Sequence, residues 1–329
     1  MRFRRMVNGL AAAALLLAGC GGEAAPAAST EGCRVLRVVV TTSVLGDIVQ
    51  NAVGEAVNVE VLMPVGADPH SFSPSASQAG ALREADLVVA NGLGLEEGLQ
   101  GVVAQAAAAG VTVVEATSFV DPLPFAQVSA HEEEGEAAQE EEGEEAHEHD
   151  TLDPHIWTDP ARMAEVATGL GEALAAADPS CGADHREAAA AYRQRLEALD
   201  AEIEGILAAV PPEDRKLVTS HHAFGYFADR YGFEMIGAII PGGSTLAEPS
   251  PADLAALVEI LRREGVRAVF AETTQPADLA EALAAELSGE VAVVSLYTGS
   301  LGEAGSGADT YIGMQRVNAQ RIAGALGEA

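Results

Sequence analysis

The sequence predicts an α/β protein of two lobes, each with a four-stranded parallel sheet flanked by helices, joined by one long rigid helix. Three observations lead to this fold class. Segments rich in β-branched residues alternate with helical segments through the first part of the chain, and the same alternation restarts near residue 216. Between the two parts lies a long segment with a helical pattern.

The first part of the chain contains four predicted strands, over residues 34–41, 57–63, 86–90 and 111–115. Helices are predicted over 44–53, 75–84, 95–108 and 159–177. Ser43 is predicted to cap the first helix, because a serine hydroxyl can accept from an unpaired N–H of the first turn. Strands that alternate with helices over about 85 residues indicate a parallel sheet.

The segment 184–209 carries apolar residues at helical spacing and would form a helix about 40 Å long, enough to connect two lobes. Strands are then predicted over 216–220, 233–240, 266–271 and 291–296, with helices over 222–231, 251–264, 277–287 and 309–326. We therefore divide the chain into an N-terminal lobe (34–180), a linking helix (181–212) and a C-terminal lobe (213–329).

The N-terminus has the pattern of a bacterial lipoprotein signal. Basic residues precede an apolar run too short to span a bilayer, and Leu17-Ala18-Gly19-Cys20 resembles a lipobox. We expect residues 1–19 to be removed, Cys20 to receive lipid, and 20–33 to be a flexible tether. The protein would then be extracytoplasmic and anchored to the bacterial cell membrane, whereas a plain secretory signal is the alternative.

Two further cysteines, Cys33 and Cys181, would lie in an oxidising compartment. An even pair there indicates one disulfide, with two free thiols as the alternative.

The chain is strongly acidic, with a net charge of −32. This balance disfavours nucleic acid or an anionic lipid surface as a partner. Eleven of the 50 acidic residues lie in 131–150, HEEEGEAAQEEEGEEAHEHD, which contains no Lys or Arg. We expect 126–150 to be a disordered, solvated loop. Its histidines, His131, His147 and His149, could bind Zn²⁺ weakly, or they could be incidental to a solvated linker.

Three of the other histidines follow predicted strands at the edge where open α/β sheets bind ligands. His70 follows the second strand, His155 follows the acidic loop, and His221 follows the first strand of the second lobe. His70 and His155 are each preceded by Asp-Pro, and the fixed φ of proline stiffens the approach to a ligand. Three imidazoles suit Zn²⁺. His185, on the long helix, is predicted to be a surface residue.

Several stretches resemble the zinc- and manganese-specific solute-binding lipoproteins of bacterial ABC transporters, the ZnuA/TroA-like family (cluster A-I). They are LMPVGADPHSFSPSASQAGALREADLVVANGLGLE (62–96), DPHIWTDP (153–160), SHHAFGYFADRYGF (220–233), AETTQP (271–276) and TYIGMQRVN (310–318). The resemblance covers essentially the whole mature chain. It implies two α/β lobes joined by a rigid helix, a metal in the cleft, an ABC permease as partner and a monomeric protein.

The resemblance also implies that His70, His155 and His221 are metal ligands. The family's fourth ligand is usually an Asp, and this chain has Gly299 at that position. Water, Glu272 or a residue of the acidic loop would then complete the coordination shell. Three histidines without the Asp favour Zn²⁺ over Mn²⁺, which prefers oxygen ligands.

Two functions other than transport are alternatives. A zinc enzyme could also use three histidines, with Glu272 as a general base, but no HExxH-like motif supports this. Cell adhesion is a role attached to the family, and nothing in the residues argues for it independently.

Overall fold

The structure is a computed structural model that describes residues 32–53, 57–125, 152–287 and 291–327. The predicted signal peptide, the lipidation site Cys20 and the acidic segment 126–150 with its three histidines lie outside the described residues. Those predictions stay predictions.

The described part of the chain contains two groups of four strands. They are β1 (Leu36–Val40), β2 (Val57–Val61), β3 (Leu87–Ala90), β4 (Thr112–Glu115), β5 (Lys216–Thr219), β6 (Glu234–Ala238), β7 (Ala268–Glu272) and β8 (Ala292–Leu296). The α-helices are α1 (Ser43–Ala52), α2 (Ala76–Arg83), α3 (Gln100–Ala108), α4 (Pro160–Ala177), α5 (Gly182–Leu207), α6 (Gly225–Tyr231), α7 (Pro251–Glu264), α8 (Asp278–Glu286) and α9 (Tyr311–Leu326).

Each group of strands forms one parallel sheet, and the two sheets have equivalent strand orders. These are β2-β1-β3-β4 and β6-β5-β7-β8. The predicted fold class is confirmed. In each sheet the second strand lies on one side of the first strand, and the third and fourth strands lie on the other side. The carboxyl ends of β1 and β3, and of β5 and β7, therefore flank a crevice where open α/β sheets bind ligands.

One apolar core is shared by both sheets. It joins Val38 of β1, Leu196 of α5, Phe270 of β7 and Ile322 of α9, all of which are fully buried. The opposite faces of the sheets have separate cores, under α2 and α3 in the first sheet and under α7 and α8 in the second. The two halves are thus held together through a common layer that includes α5. The lobe boundaries at 180 and 213 stay a prediction.

Helix α5 buries a single stripe of side chains spaced three or four residues apart. The buried stripe consists of His185, Ala189, Tyr192, Leu196, Leu199, Ile203 and Leu207. The prediction that His185 is a surface residue was wrong, since only 1% of it is exposed and its Nδ1 lies 3.1 Å from the carbonyl oxygen of Val53. Its position in the helical period, four residues before Ala189, is the reason.

The cap of α1 lies one residue earlier than predicted. Thr42, not Ser43, accepts a hydrogen bond from the N–H of Leu45, at 3.2 Å. The Ser43 hydroxyl instead accepts from the N–H of Leu301 at 3.1 Å and lies 3.2 Å from the Ser300 hydroxyl. Ser43 therefore connects the first lobe to the second, a role that local sequence cannot reveal.

At the start of α5, a disulfide joins Cys33 to Cys181 with the Cα atoms 5.4 Å apart, within the usual range. It closes a segment with a sequence separation of 148 residues and fixes the chain just before β1. Among the helices of the described residues, none has both the length and the apolar character of a membrane span.

We expect the double substitution Cys33→Ser and Cys181→Ser to lower the free energy of unfolding by about 2–4 kcal/mol, because the crosslink restricts the unfolded chain. Denaturant titration of both proteins measures this difference. A Cys20→Ser variant, which keeps only Cys33 and Cys181, should also show no thiol that reacts with a chromogenic disulfide reagent after unfolding without reductant. A reactive thiol under those conditions would contradict the crosslink.

Candidate metal centre

Three buried histidines meet in the crevice between the two sheets. His70 lies in the loop after β2, His155 directly precedes a one-turn 3-10 helix, and His221 follows β5. Each is at most 4% exposed. The Nε2 atom of His155 lies 3.1 Å from Nε2 of His221 and 3.4 Å from Nε2 of His70. One ligand atom from each of the three lies within 4.8 Å of the others.

Each imidazole has a carboxylate on its Nδ1 side. Asp153 Oδ1 lies 2.7 Å from Nδ1 of His155, and Glu272 Oε1 makes a short contact with Nδ1 of His221. Glu97 Oε1 lies 3.6 Å from Nδ1 of His70. A carboxylate at Nδ1 favours the tautomer protonated there, which leaves the Nε2 lone pair free for a metal. For His155 and His221 this hydrogen bond leaves Nε2 available where the three Nε2 atoms meet, whereas the Glu97 contact to His70 is longer than a hydrogen bond.

The two Asp-Pro-His motifs form the same local structure. The N–H of His70 donates to Asp68 Oδ1 at 3.0 Å, and the N–H of His155 donates to Asp153 Oδ1 at 2.9 Å. This bond from residue i to residue i+2 is the ordinary turn-forming contact of an aspartate. The motif therefore fixes the backbone of the histidine, while the proline between them fixes φ.

Sheet register brings His221 to Glu272. Thr219 of β5 pairs with Phe270 of the neighbouring parallel strand β7. His221 and Glu272 each lie two residues beyond this pair, so they meet at the carboxyl edge of the sheet. The other Glu272 oxygen, Oε2, accepts from the Thr298 hydroxyl at 2.7 Å. Both oxygens of Glu272 therefore have hydrogen-bond partners. The oxygen that contacts His221 does so at Nδ1, on the side of the ring opposite the three Nε2 atoms.

Burial sets most of the protonation states in the cluster. It lowers the pKa of His70 to about 3, with further lowering by His155 and His221, and it lowers the pKa of His155 well below the ordinary value. Burial also lowers the pKa of His221, but the Glu272 carboxylate more than offsets this, and the pKa is raised. Glu272 behaves in the opposite sense, because attraction to His221 outweighs burial and lowers its pKa. Burial raises the pKa of Asp153 to about 7.

The spacing of the Nε2 atoms suits a small cation. Neutral imidazoles with lone pairs 3.1 and 3.4 Å apart repel one another unless a cation or proton lies between them. A tetrahedral ion with ligand bonds of about 2.0–2.1 Å places its ligand atoms about 3.3–3.4 Å apart. The cluster therefore has the chemistry and dimensions of a metal site with three nitrogen ligands.

The ring of Pro69 occupies the space that a side chain at position 299 would need. A Cβ atom on Gly299 would lie 2.5 Å from Cδ and 3.0 Å from Cγ of Pro69, too close for an ordinary contact. Pro69 belongs to the first Asp-Pro-His motif, and Gly299 lies in the loop after β8. The glycine therefore permits a close approach between the two lobes beside His70.

The three histidines that meet here are those predicted from the sequence. The sequence analysis treated Glu272 as a candidate ligand and did not single out Glu97. The position of Glu272 beside His221 could have been inferred, because Glu272 ends a buried strand at the same edge of the sheet. Glu97 lies in a turn with no regular pattern.

His222 does not join the cluster, and its N–H donates to the Gly242 carbonyl oxygen at 3.2 Å. A larger cavity of about 1070 Å³ beside β4 has no histidine or cysteine among the described residues that line it.

Comparison with known proteins shows what the chain resembles. The family profile "Zinc-uptake complex component A periplasmic" matches residues 38–325. The manganese-binding lipoprotein MntA of Halalkalibacterium halodurans is 31% identical over 319 residues, which cover 96% of each chain. The zinc-binding protein TroA of Treponema pallidum is 32% identical over 293 residues, 88% of each chain. The solved TroA structure superimposes with a TM-score of 0.75 at 29% identity, covering 89% of this chain and all of that one.

Substituting Glu272→Gln should lower the pKa of His221, because the amide removes the negative charge that holds the proton on the imidazole. NMR titration of the His221 ring protons in metal-free protein measures this shift. Glu259→Gln, on the exposed surface of α7, is the matched control and should leave His221 unchanged. A His221 pKa that stays the same or rises in the Glu272 variant would contradict the assigned pairing.

Proposed function

The chain belongs to the family of periplasmic zinc-uptake components, the metal-binding proteins of ABC metal importers, and we infer from its own ligand residues that its cargo is Zn²⁺. We propose that His70, His155 and His221 hold the ion and that the protein delivers it to a membrane permease. The observation that carries the proposal is the convergence of three Nε2 lone pairs, each opposite an Nδ1 that faces a carboxylate.

The choice of Zn²⁺ rests on the ligand chemistry, because the relatives are named for different metals. MntA is named as manganese-binding and TroA as zinc-binding. Three neutral nitrogen ligands suit Zn²⁺, whereas Mn²⁺ prefers oxygen ligands. The packing of Pro69 against Gly299 supports this choice, since it leaves no room for a carboxylate at that position.

We propose that a water molecule is the fourth ligand. Glu272 would support His221 and not bind the ion, because its oxygens are already paired with His221 and with Thr298. Asp153 is likewise paired with His155. In this arrangement the carboxylates hold the imidazoles in place, and exchange of the water gives the ion a route in and out.

We propose that the acidic segment gathers Zn²⁺ for this site. The chain leaves and returns beside His155, since Pro124 and Leu152 form an antiparallel bridge and the N–H of Asp153 donates to the Leu123 carbonyl oxygen at 2.8 Å. The ring of Phe125, the last described residue before the gap, lies 6.4 Å from the His155 ring. The described residues on both sides of 126–150 therefore lie near the cluster, which supports the proposal.

The family consists of solute-binding proteins, so the alternative of a zinc enzyme is set aside. Relatives are named as lipoproteins of metal ABC transporters. This supports an extracytoplasmic location, and we propose that lipid on Cys20 holds this chain at the membrane near its permease.

In a transport protein Glu272 has no role as a general base, and we propose that it positions His221.

Equilibrium competition between Zn²⁺ and Mn²⁺ at equal concentrations, followed by metal analysis, tests the choice of ion. We expect Zn²⁺ to occupy the site. Affinity should fall as the pH is lowered through the raised pKa of His221, because a proton then competes for its Nε2. If Mn²⁺ displaces Zn²⁺, the proposed cargo is wrong, although membership of the family is unaffected.

Two variants separate the histidine cluster from the acidic segment. His155→Ala should abolish tight Zn²⁺ binding, because it removes the imidazole that lies closest to both other ligands. Deletion of 131–150 should preserve one tight site and slow only the uptake of zinc at low concentration. Calorimetric titration of each protein measures stoichiometry and affinity, with His222→Ala as the matched histidine control. Loss of the tight site on deletion would identify the segment as a primary ligand donor.

A further inference from the structure

His70 lies between two carboxylates that contact it in different ways. Asp68 accepts the backbone N–H of His70 through Oδ1 at 3.0 Å, and Asp68 is only 8% exposed. Glu97 faces the side chain, with Oε1 3.6 Å from Nδ1. Asp68 fixes the position of the histidine backbone, whereas Glu97 lies beside the ring at a distance longer than a hydrogen bond.

Both carboxylates are held by residues from the opposite lobe. Asp68 Oδ2 accepts from the Thr245 hydroxyl at 2.6 Å and from the Gln275 side-chain amide at 2.8 Å. Glu97 Oε1 accepts from the Ser244 hydroxyl at 2.6 Å. Ser244 and Thr245 lie in the loop after β6, and Gln275 lies in the loop after β7. Neither loop contributes a histidine to the cluster.

We propose that Ser244, Thr245 and Gln275 form a clasp, a set of positioning residues that holds His70 in its ligand geometry and slows release of the bound ion. The inference rests on the proposed function. Asp68 is the central element, because one of its oxygens holds the His70 backbone while the other is held across the cleft. Separation of the lobes would break the Thr245 and Gln275 bonds and free the loop that carries His70.

Charge and burial make these bonds effective. Hydrogen bonds to an ionised carboxylate are stronger than those between neutral groups, and shielding from water strengthens them further. The bonds to Asp68 are shielded from water in this way, since Asp68 is buried. The bond to Glu97 is more exposed, with 40% of its side chain accessible, so its contribution should be smaller. Thr245 is therefore the residue whose hydroxyl should matter most.

Two other bonds between the lobes do not involve a histidine ligand or its carboxylate. The Trp157 indole N–H donates to the Thr298 carbonyl oxygen at 2.9 Å, and the Ser43 hydroxyl contacts Ser300. The clasp differs from these because it acts on the atoms that fix His70. Ser43→Ala is thus a matched control, since it also removes a buried serine hydroxyl that bridges the lobes.

The test is the rate at which Zn²⁺ leaves the purified full-length protein, measured by stopped-flow transfer to a chromogenic chelator. Thr245→Val should release Zn²⁺ about tenfold faster while the association rate changes by less than about twofold. Thr245→Ser, which keeps the hydroxyl, should restore the slow rate. Gln275→Leu provides a second variant that should also accelerate release, and thermal unfolding of the metal-free proteins confirms that each is folded.

Release from Thr245→Val at the wild-type rate, or at the rate of Ser43→Ala, would overturn the clasp. Fast release from Thr245→Ser, equal to that from Thr245→Val, would also overturn the clasp. The effect would then come from the shape of the side chain and not from its hydroxyl. A wild-type protein that binds no Zn²⁺ before the chelator is added would instead overturn the proposed cargo.

Discussion

The pairing of each imidazole with a carboxylate is the interaction on which the centre depends. Nε2 of His155 lies 3.1 Å from that of His221 and 3.4 Å from that of His70, and nitrogen lone pairs this close repel in the absence of a cation. Burial alone would also allow each ring to turn and present either nitrogen. Asp153 and Glu272 bond the Nδ1 atoms of His155 and His221 and so select the orientation that a metal can use, while Glu97 lies farther from Nδ1 of His70. The protein thus maintains a locally unfavourable arrangement that a bound cation relieves.

The fold brings these pairs together from distant parts of the sequence. Parallel strands place residues that follow them at one edge, and the register of β5 with β7 makes His221 and Glu272 neighbours. The shared core through α5 sets the separation of the two sheets. Because the helix packs against both halves along one stripe, the distance between the histidines is determined by a continuous, close-packed layer.

Most of the fold could be predicted from the sequence, because strands such as Val57–Val61 and helices such as Pro251–Glu264 have clear periodicity and end signals. The three histidines could be predicted from their placement after strands and from the Asp-Pro-His motifs. What could not be predicted depends on contacts between lobes. Ser43 resembled a helix cap but bridges to Leu301, and no local pattern indicates that Glu97 faces His70.

His185 shows a different kind of error. Its type suggested the surface, while its position in the helical period placed it on the buried face. Periodicity was the better guide, because the packing of α5 against α1, α4 and α9 is fixed by the stripe as a whole. The proposed role of Glu272, as a support and not a ligand, could not be read from a local pattern either. Its role follows from which side of His221 it occupies, and that requires the register of two strands far apart in the chain.

The contact between Pro69 and Gly299 has a consequence for how such a site can evolve. An ancestor with a carboxylate at position 299 and a descendant without one are not separated by a single neutral step, because a Cβ there meets the Pro69 ring. Any change at one position alters the effect of a change at the other, so the two residues are epistatic. A lineage that moves between nitrogen-rich and oxygen-rich coordination must therefore pass through a paired substitution or a shift of the loop that carries His70.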